Sequence, residues 1–365
     1  MLGTRPEAIK LAPVARALVA RGIRPTLVFT GQHPGLHKAE FGLDTFAAIH
    51  LDCAGEEDPH AHVHRVTAAI LPLLLPAPDL LIVQGDTSSA LGAALAGFTA
   101  GVAVAHVEAG LRTHDCTLPW PEEEYRTAID ASADLLFAPT HSAEANLRAE
   151  QVPGRIYVTG NTGIDAALST IAHLPAPASH NNQLPRLLVT CHRRESWGEG
   201  LESIAAALIE LARDDIVSIH MVLHPNEFVA DTMRRLLGEV SGISLVPPCS
   251  HAELVQRMRD ADLVLSDSGG IQEEAPALGV PLLVLREKTE RPEGVAAGNA
   301  RLVGTSTRRI VEEARRLLRN PAERAAMARR SFPYGDGHAA PRIAEIVDQW
   351  LKAREPARRH APKKR

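Results

Sequence analysis

Between Leu263 and Glu274 the sequence Leu-Val-Leu-Ser-Asp-Ser-Gly-Gly-Ile-Gln-Glu-Glu joins a short apolar run to a helical pattern through two glycines. Gly269 and Gly270 carry no Cβ, so backbone N–H groups there can approach a ligand closely. A helix reading from Ile271 to Leu278, stopped by Gly279, aims its positive end at the same point. Free N–H groups and a helix dipole together suit an anion such as a diphosphate. Glu273 and Glu274 then fall in the first turn, where a carboxylate can reach the hydroxyls of a ribose. Gly-Gly and an acidic first turn also occur at ordinary helix starts. Two more carboxylates stand just past apolar runs: Asp86 after Asp79–Val83, and Glu108 after Gly101–Val107. In a parallel sheet both would lie on the rim of one crevice, although either alone serves equally as a helix cap.

The elements that must position these groups alternate. Strand patterns at 24–30, 79–83, 101–107, 135–138 and 156–159 are interleaved with helical ones, including the alanine-rich 90–100 and the stretch from Trp120 through Ala133. Leu174 to Pro185 is rich in Pro, Ala and Asn and reads as a linker. A second alternation follows, with strands at 186–190, 218–223, 243–246, 263–265 and 281–285 and a last amphipathic helix at 341–352. Strand–helix alternation implies βαβ units and parallel sheets. Gly3-Thr4-Arg5-Pro6 reads as a glycine turn opening a helix, a turn that normally follows a strand. Only Met1 and Leu2 precede it. A misassigned start codon is the expected cause, and buried strand edges left unpaired would each cost roughly 1–3 kcal/mol.

The chain has 365 residues, which implies two domains at roughly 100–200 residues each. A hydrophobic content of 45% and a net charge of −5 describe an ordinary globular protein and speak against nucleic acid as a partner. Cys53, Cys116, Cys191 and Cys249 are scattered without metal spacing and read as free thiols of a reducing cytosol. No signal peptide is recognised, and no apolar run reaches the ~18 residues a membrane helix needs. A cytoplasmic protein without a membrane partner is expected. His60, His62 and His64 alternate in a polar connection; with no Cys or Asp at ligand spacing they read as solvated side chains, and no metal is expected. The stretch 355–365 reads as a disordered basic tail.

Eight segments, in order from residue 3 to 337, resemble the bacterial non-hydrolysing UDP-N-acetylglucosamine 2-epimerase family. They are Gly3-Thr4-Arg5-Pro6-Glu7-Ala8-Ile9-Lys10, Gly85-Asp86-Thr87, His106-Val107-Glu108-Ala109-Gly110-Leu111-Arg112, Pro121-Glu122-Glu123, His192-Arg193-Arg194-Glu195, the run from Asp267 to Pro276, Thr289-Glu290-Arg291-Pro292-Glu293, and Pro333-Tyr334-Gly335-Asp336-Gly337. The resemblance implies an α/β fold of two Rossmann-like domains facing a central cleft, of the GT-B type, with the C-terminal helix crossing back to the first domain. It places the domains at 1–173 with 339–354, and at 174–338. It also implies a homodimer, a UDP-sugar substrate, and neither metal nor external cofactor. Asp86, Glu108, Glu122 and His192 would form the catalytic group. Arg5, Lys10, Arg126, Arg193, His224, Ser268, Gly269, Gly270, Glu274 and Arg291 would hold UDP or the sugar.

The chemistry stands on its own. C2 of a UDP-sugar bears a proton beside the anomeric carbon, with no adjacent carbonyl to acidify it, and no nicotinamide fingerprint is present to create one. Expelling UDP from C1 as the C2 proton leaves gives a 2-acetamidoglucal, and UDP adds back as a proton reaches the opposite face of C2. That route needs donors for the leaving diphosphate and carboxylates near C2. Which carboxylate is the base stays open. His192 follows an apolar strand, as a core histidine would, but the Arg-Arg-Glu after it favours a site. Arg5 and Lys10 are five apart, which does not put them on one helical stripe. Tyr125 stands where the family usually has Asn. Pro34-Gly35 replaces a polar continuation after Gln32, in the loop of the family's activating site, so allosteric activation is not expected. Two other readings share the nucleotide grip: a GT-B glycosyltransferase, and a UDP-sugar binder impaired by its missing first strand. Hydrolysing relatives would release free ManNAc.

Overall fold

The computed structural model describes residues 1–177, 184–191 and 197–359, the last five as backbone alone. The chain divides into two units, Met1–Ala166 with Gly335–Arg365, and Ala167–Tyr334. Unit 1 holds β1 (Leu27–Phe29), β2 (Ala48–His50), β3 (Leu81–Gln84), β4 (Val104–Val107), β5 (Leu135–Ala138) and β6 (Arg155–Val158). Its helices are α1 (Arg5–Ala20), α2 (Pro59–Ile70), α3 (Ser88–Ala100), α4 (Glu122–Asp130), α5 (His141–Ala149) and the start of α6 (Thr162–Ile171). Unit 2 holds β7 (Arg186–Thr190), β8 (Ser218–Val222), β9 (Ile243–Val246), β10 (Leu263–Ser266), β11 (Leu282–Val284) and β12 (Ala300–Leu302). Its helices are α7 (Glu199–Arg213), α8 (Glu227–Leu237), α9 (His251–Arg259), α10 (Gly269–Leu278), α11 (Pro292–Ala296), α12 (Thr307–Arg319) and α13 (Pro321–Met327). Then α14 (Ala339–Arg359) returns to unit 1.

In unit 2 the strand order is β12-β11-β10-β7-β8-β9, all parallel. The chain winds outward from β7 to β9, returns to place β10 beside β7, and winds outward again. β7 and β10 are buried over nearly their whole length, and apolar clusters cover both faces of the sheet. That is why strands such as Leu263-Val264-Leu265 read as continuous apolar runs. The winding reverses between β7 and β10, the switch point where such sheets take ligands.

Unit 1 repeats the scheme with one difference. β3-β4-β5-β6 form one parallel sheet and β1-β2 a second. Leu2 joins them: its N–H donates to Val28 O at 2.9 Å, its carbonyl accepts from Thr30 at 3.0 Å, and the Met1 amine donates to Ile82 O at 2.9 Å. Two consecutive residues reach the two edges, Leu2 that of β1 and Met1 that of β3, so the gap is one strand wide. Leu2 therefore stands where the sequence analysis expects a full strand, and the order β2-β1-Leu2-β3-β4-β5-β6 matches that of unit 2. Before Met1 the gap continues as an apolar groove of about 300 Å³, lined by Leu11, Val14 and Leu18 of α1, Thr26, Leu80 and Val347.

The turn after Leu2 is fixed by a capping box. Thr4 caps α1, and Glu7 Oε2 accepts from the N–H groups of Gly3 and Thr4 at 2.9 and 2.6 Å. Gly3 is needed for contact, since a Cβ there would lie 2.2 Å from Ser89 Oγ. α14 lays Ala340, Ile343, Ala344 and Val347 onto the cluster that includes Ala8, Leu11, Ala12 and Ala15 of α1. Its first N–H groups, of Ala339 and Ala340, donate to the Asp165 carboxylate at 3.1 and 2.8 Å.

Three readings change. α10 begins at Gly269, so Glu273 and Glu274 lie one turn further in than the first turn. The alternate histidines lie on α2, capped by Asp58 and opened by Pro59, and not in a polar connection. Among them His62 is a buried core residue, with Nδ1 2.6 Å from Ser88 Oγ and Nε2 3.0 Å from Cys53 O. The last helix runs on to Arg359, into the stretch read as tail; residues 360–365 and much of the linker reading, 178–183, lie outside the described residues.

Candidate active site

In unit 1 the groups lie past the carboxyl ends of β3 and β4. After Gln84, Gly85 takes the left-handed conformation (φ 68°) and turns the chain so that Asp86 projects from the strand end. After Val107, Glu108 takes it as well (φ 71°). A side chain there costs on the order of 1–2 kcal/mol, so something must hold it. The backbone N–H groups of Glu108 and Ala109 both donate to Phe137 O, at 3.0 and 3.1 Å. Glu108 Oε2 accepts from Lys10 Nζ, from Gln84 Nε2 at 3.2 Å and from Asn161 Nδ2 at 3.2 Å. Both side chains of the Lys10–Glu108 pair are buried, at 8% and 7% exposure.

Asp86 is more open, at 26%, and accepts from Arg126 Nη2. Arg126 is itself buried on α4, with Nη1 3.4 Å from Glu123 Oε2. Glu122 opens α4 four residues before Arg126, and so lies on the same helical face. Glu123 instead holds the preceding loop, accepting from Thr113 and His114 N–H groups at 2.9 Å each.

The structure thus brings Asp86, Glu108, Lys10 and Arg126 together. Lys10 and Arg126, expected on UDP or the sugar, are cation partners of the two carboxylates. Arg5 is not among them; its guanidinium is half exposed and pairs with Glu40 at 3.2 Å. Gln84 and Asn161 were not singled out by sequence. Asn161 stands three residues past β6, so the strand-end rule that finds Asp86 and Glu108 reaches it too.

In unit 2 the switch point between β7 and β10 is tied by Thr190 Oγ1 and Ser266 Oγ, 2.7 Å apart. Beside it lies a pocket of about 150 Å³, lined by Thr190, Cys191, His224, Pro225, Cys249 and Ser268 among others. Ser268 caps α10 by backbone only, so its side chain takes none of the first helical N–H groups. Gly269 lies directly against Arg291, and a Cβ there would sit 2.8 Å from Arg291 Cζ. Arg291 is fixed by Glu273 Oε1 at 2.6 Å and by Glu290, which also accepts from Arg286 at 2.9 Å. Glu274 faces His251 Nε2 at 3.0 Å, a partner sequence reasoning did not name. His224 Nδ1 accepts from Asn226 N–H at 3.1 Å. Burial pushes the Cys191 thiol well up. His192 and Arg193 lie outside the described residues. No helix among the described residues is long and apolar enough to cross a membrane.

These features define a protein of two doubly wound α/β units. One carries cation-held carboxylates at its strand ends, the other a helix start suited to an anion. A family model described as UDP-N-acetylglucosamine 2-epimerase matches residues 16–348. The chain is 42% identical to the UDP-N-acetylglucosamine 2-epimerase of Escherichia coli K12, over 95% of this chain and 97% of that one. It is 41% identical to the enzyme of the same description from Salmonella typhimurium, over 96% and 98%. The crystal structure of the Neisseria meningitidis UDP-GlcNAc 2-epimerase bound to UDP-GlcNAc superposes with a TM-score of 0.90 at 36% identity, covering 95% of this chain and 98% of that one. The chain belongs to the UDP-N-acetylglucosamine 2-epimerase family.

Proposed function

We propose that the protein is an isomerase interconverting UDP-GlcNAc and UDP-ManNAc by elimination and re-addition of UDP. The observation that carries this reading, beyond family membership, is the pair of strand-end carboxylates with separate cations, Asp86 with Arg126 and Glu108 with Lys10. A carboxylate takes the C2 proton, the C1–O bond breaks with its electron pair on UDP, and a C1=C2 double bond forms. In the return, a diphosphate oxygen attacks C1 and a proton reaches C2 from the opposite face. Asp86, Glu108 and Glu122 carry the proton steps, with His192 in the same catalytic group. Ser268, Gly269, Gly270 and Arg291 hold the diphosphate, Glu274 a ribose hydroxyl, and His224 and Arg193 complete the grip. The 150 Å³ pocket beside Ser268 suits the base. A homodimer acting in the cytoplasm, without metal or external cofactor, is the setting the family resemblance implies.

The test is incubation with UDP-GlcNAc alone in D₂O. UDP-ManNAc carrying deuterium at C2 is expected, with an ¹⁸O label at the C1–O bridge scrambling into non-bridging positions. Product without deuterium would sink the elimination route. Free ManNAc would mark a hydrolysing enzyme, and turnover only with an added acceptor a glycosyltransferase.

A further inference from the structure

His106, on β4, belongs to no step above, yet it is fully buried, touches the Asp86 turn directly and is linked to the Glu108 turn through Asp130. Its Nε2 lies 2.8 Å from the carbonyl of Gly85, the residue before Asp86. Its Nδ1 lies 2.6 Å from Asp130 Oδ1, at the end of α4. The other Asp130 oxygen accepts from Gly110 N–H at 3.0 Å, two residues past Glu108, and from Arg112 at 2.8 Å. Arg112 is held in turn by both oxygens of Glu150, at 2.7 and 2.6 Å.

We propose that His106 is a positioning residue for the epimerisation read above, setting the aim of Asp86 by holding the Gly85 carbonyl against α4. The peptide plane between Gly85 and Asp86 decides where the Asp86 side chain points, and Gly85 alone leaves that plane loosely defined. α4 grips this turn twice, through Arg126 on the Asp86 carboxylate and through Asp130 and His106 on the Gly85 carbonyl. The same Asp130 holds Gly110, so one buried cluster spans both turns.

The donor role of Nε2 follows from its partner. A carbonyl oxygen only accepts, so Nε2 must carry a proton. Asp130 also accepts from Arg112 and Gly110, which favours the carboxylate. Burial pushes Asp130 up, but His106 and Arg112 facing it more than offset that and hold it below the usual carboxylate range. Nδ1 faces that carboxylate, so Asp130 anchors the ring on one side while Nε2 holds the Gly85 carbonyl on the other.

Two measurements test this. In protein labelled with ¹⁵N-histidine, NMR should show a proton on Nε2 of His106. A lone pair on Nε2 would overturn the proposal, because nothing would then donate to Gly85. The amides His106→Gln and His106→Asn separate the two contacts, as the Gln nitrogen reaches the place of Nε2 and the Asn nitrogen that of Nδ1. His106→Asn loses the Gly85 contact and should lower kcat about 10²-fold, the scale of a 1 Å misplacement, with KM nearly unchanged. His106→Gln keeps that contact and should recover most of the rate. Equal kcat loss in both, or a lower Tm with wild-type kcat in both, would make His106 structural only. UDP affinity should stay at its wild-type value in either variant. Absence of turnover by the wild-type protein would overturn the proposed function instead, and the NMR result would still be read.

Discussion

Lys10 shows how a single side chain changes meaning once the fold is known. In the sequence it is a cation on a helix opened by a glycine turn, and the family resemblance assigns it to UDP or the sugar. In the structure it is buried against Glu108, whose backbone is held in the left-handed region by Phe137 O. Lys10→Met should therefore cut turnover by at least about 10²-fold, as removal of a proton-transfer group does, because Glu108 loses the cation that orients it. Calorimetry should show UDP affinity unchanged; a large loss of affinity would return Lys10 to the nucleotide. Glu274→Gln should do the reverse, weakening UDP by roughly 1–3 kcal/mol as a charged hydrogen bond is lost. Unchanged affinity there would remove Glu274 from the ribose. Asp86 and Glu108 were legible because the strand-end rule depends only on local pattern. The pairing of Arg126 with Asp86 was not legible, because nothing local says that α4 turns it toward β3. Glu273 and Glu274 were set a turn too early because Gly-Gly has poor helix propensity, yet α10 opens on those two glycines directly after Ser268.

The edge where Leu2 joins two sheets is the weak element. The Met1 amine is buried there, and burial lowers its pKa to about 6, with Glu7 opposing. In the unfolded chain an α-amine titrates near 8. Between those values the unfolded state binds more protons than the folded one, so stability should rise as pH climbs from about 6 to about 8. The full effect is on the order of 2–3 kcal/mol. Thermal melts across that window should show the rise, and acetylating the amine should flatten it; a flat profile in the unmodified protein would mean the amine is not buried. Grafting about five apolar residues ahead of Met1, a typical strand length, should fill the groove, remove the charge and raise Tm. Equal melting of the two proteins would mean that the groove does not take a strand. The inner strands of unit 2 were read nearly to the residue, as with β7 and β10, because a strand buried on both faces is a bare apolar run, whereas β2 and β12 were not read and β1 and β4 are shorter than expected. α2 was not expected although Asp58-Pro59 is a sound helix start, because the alternate histidines at 60, 62 and 64 show a period of two and not a helical one.

At the scale of the molecule, no apolar cluster mixes the two units among the described residues. Two clusters draw only on residues 1–147 and 340–347, and two only on 187–327. Ending the chain at His338 removes α14 and uncovers the apolar face of α1. Hydrogen exchange should then show lost protection across unit 1 and unchanged protection across unit 2; uniform loss in both would contradict the independence of the cores. The topology has a further consequence for the order of events on the ribosome. Unit 1 takes in the earlier part of the chain, but the apolar cluster around α1 stays open until Ala340 to Val347 leave the exit tunnel. Unit 2 has its whole sheet available some forty residues earlier, since β12 ends at Leu302. The half whose synthesis starts first is thus the half that finishes folding last, and the bare face of α1 is the surface a nascent chain must keep from aggregating in the meantime.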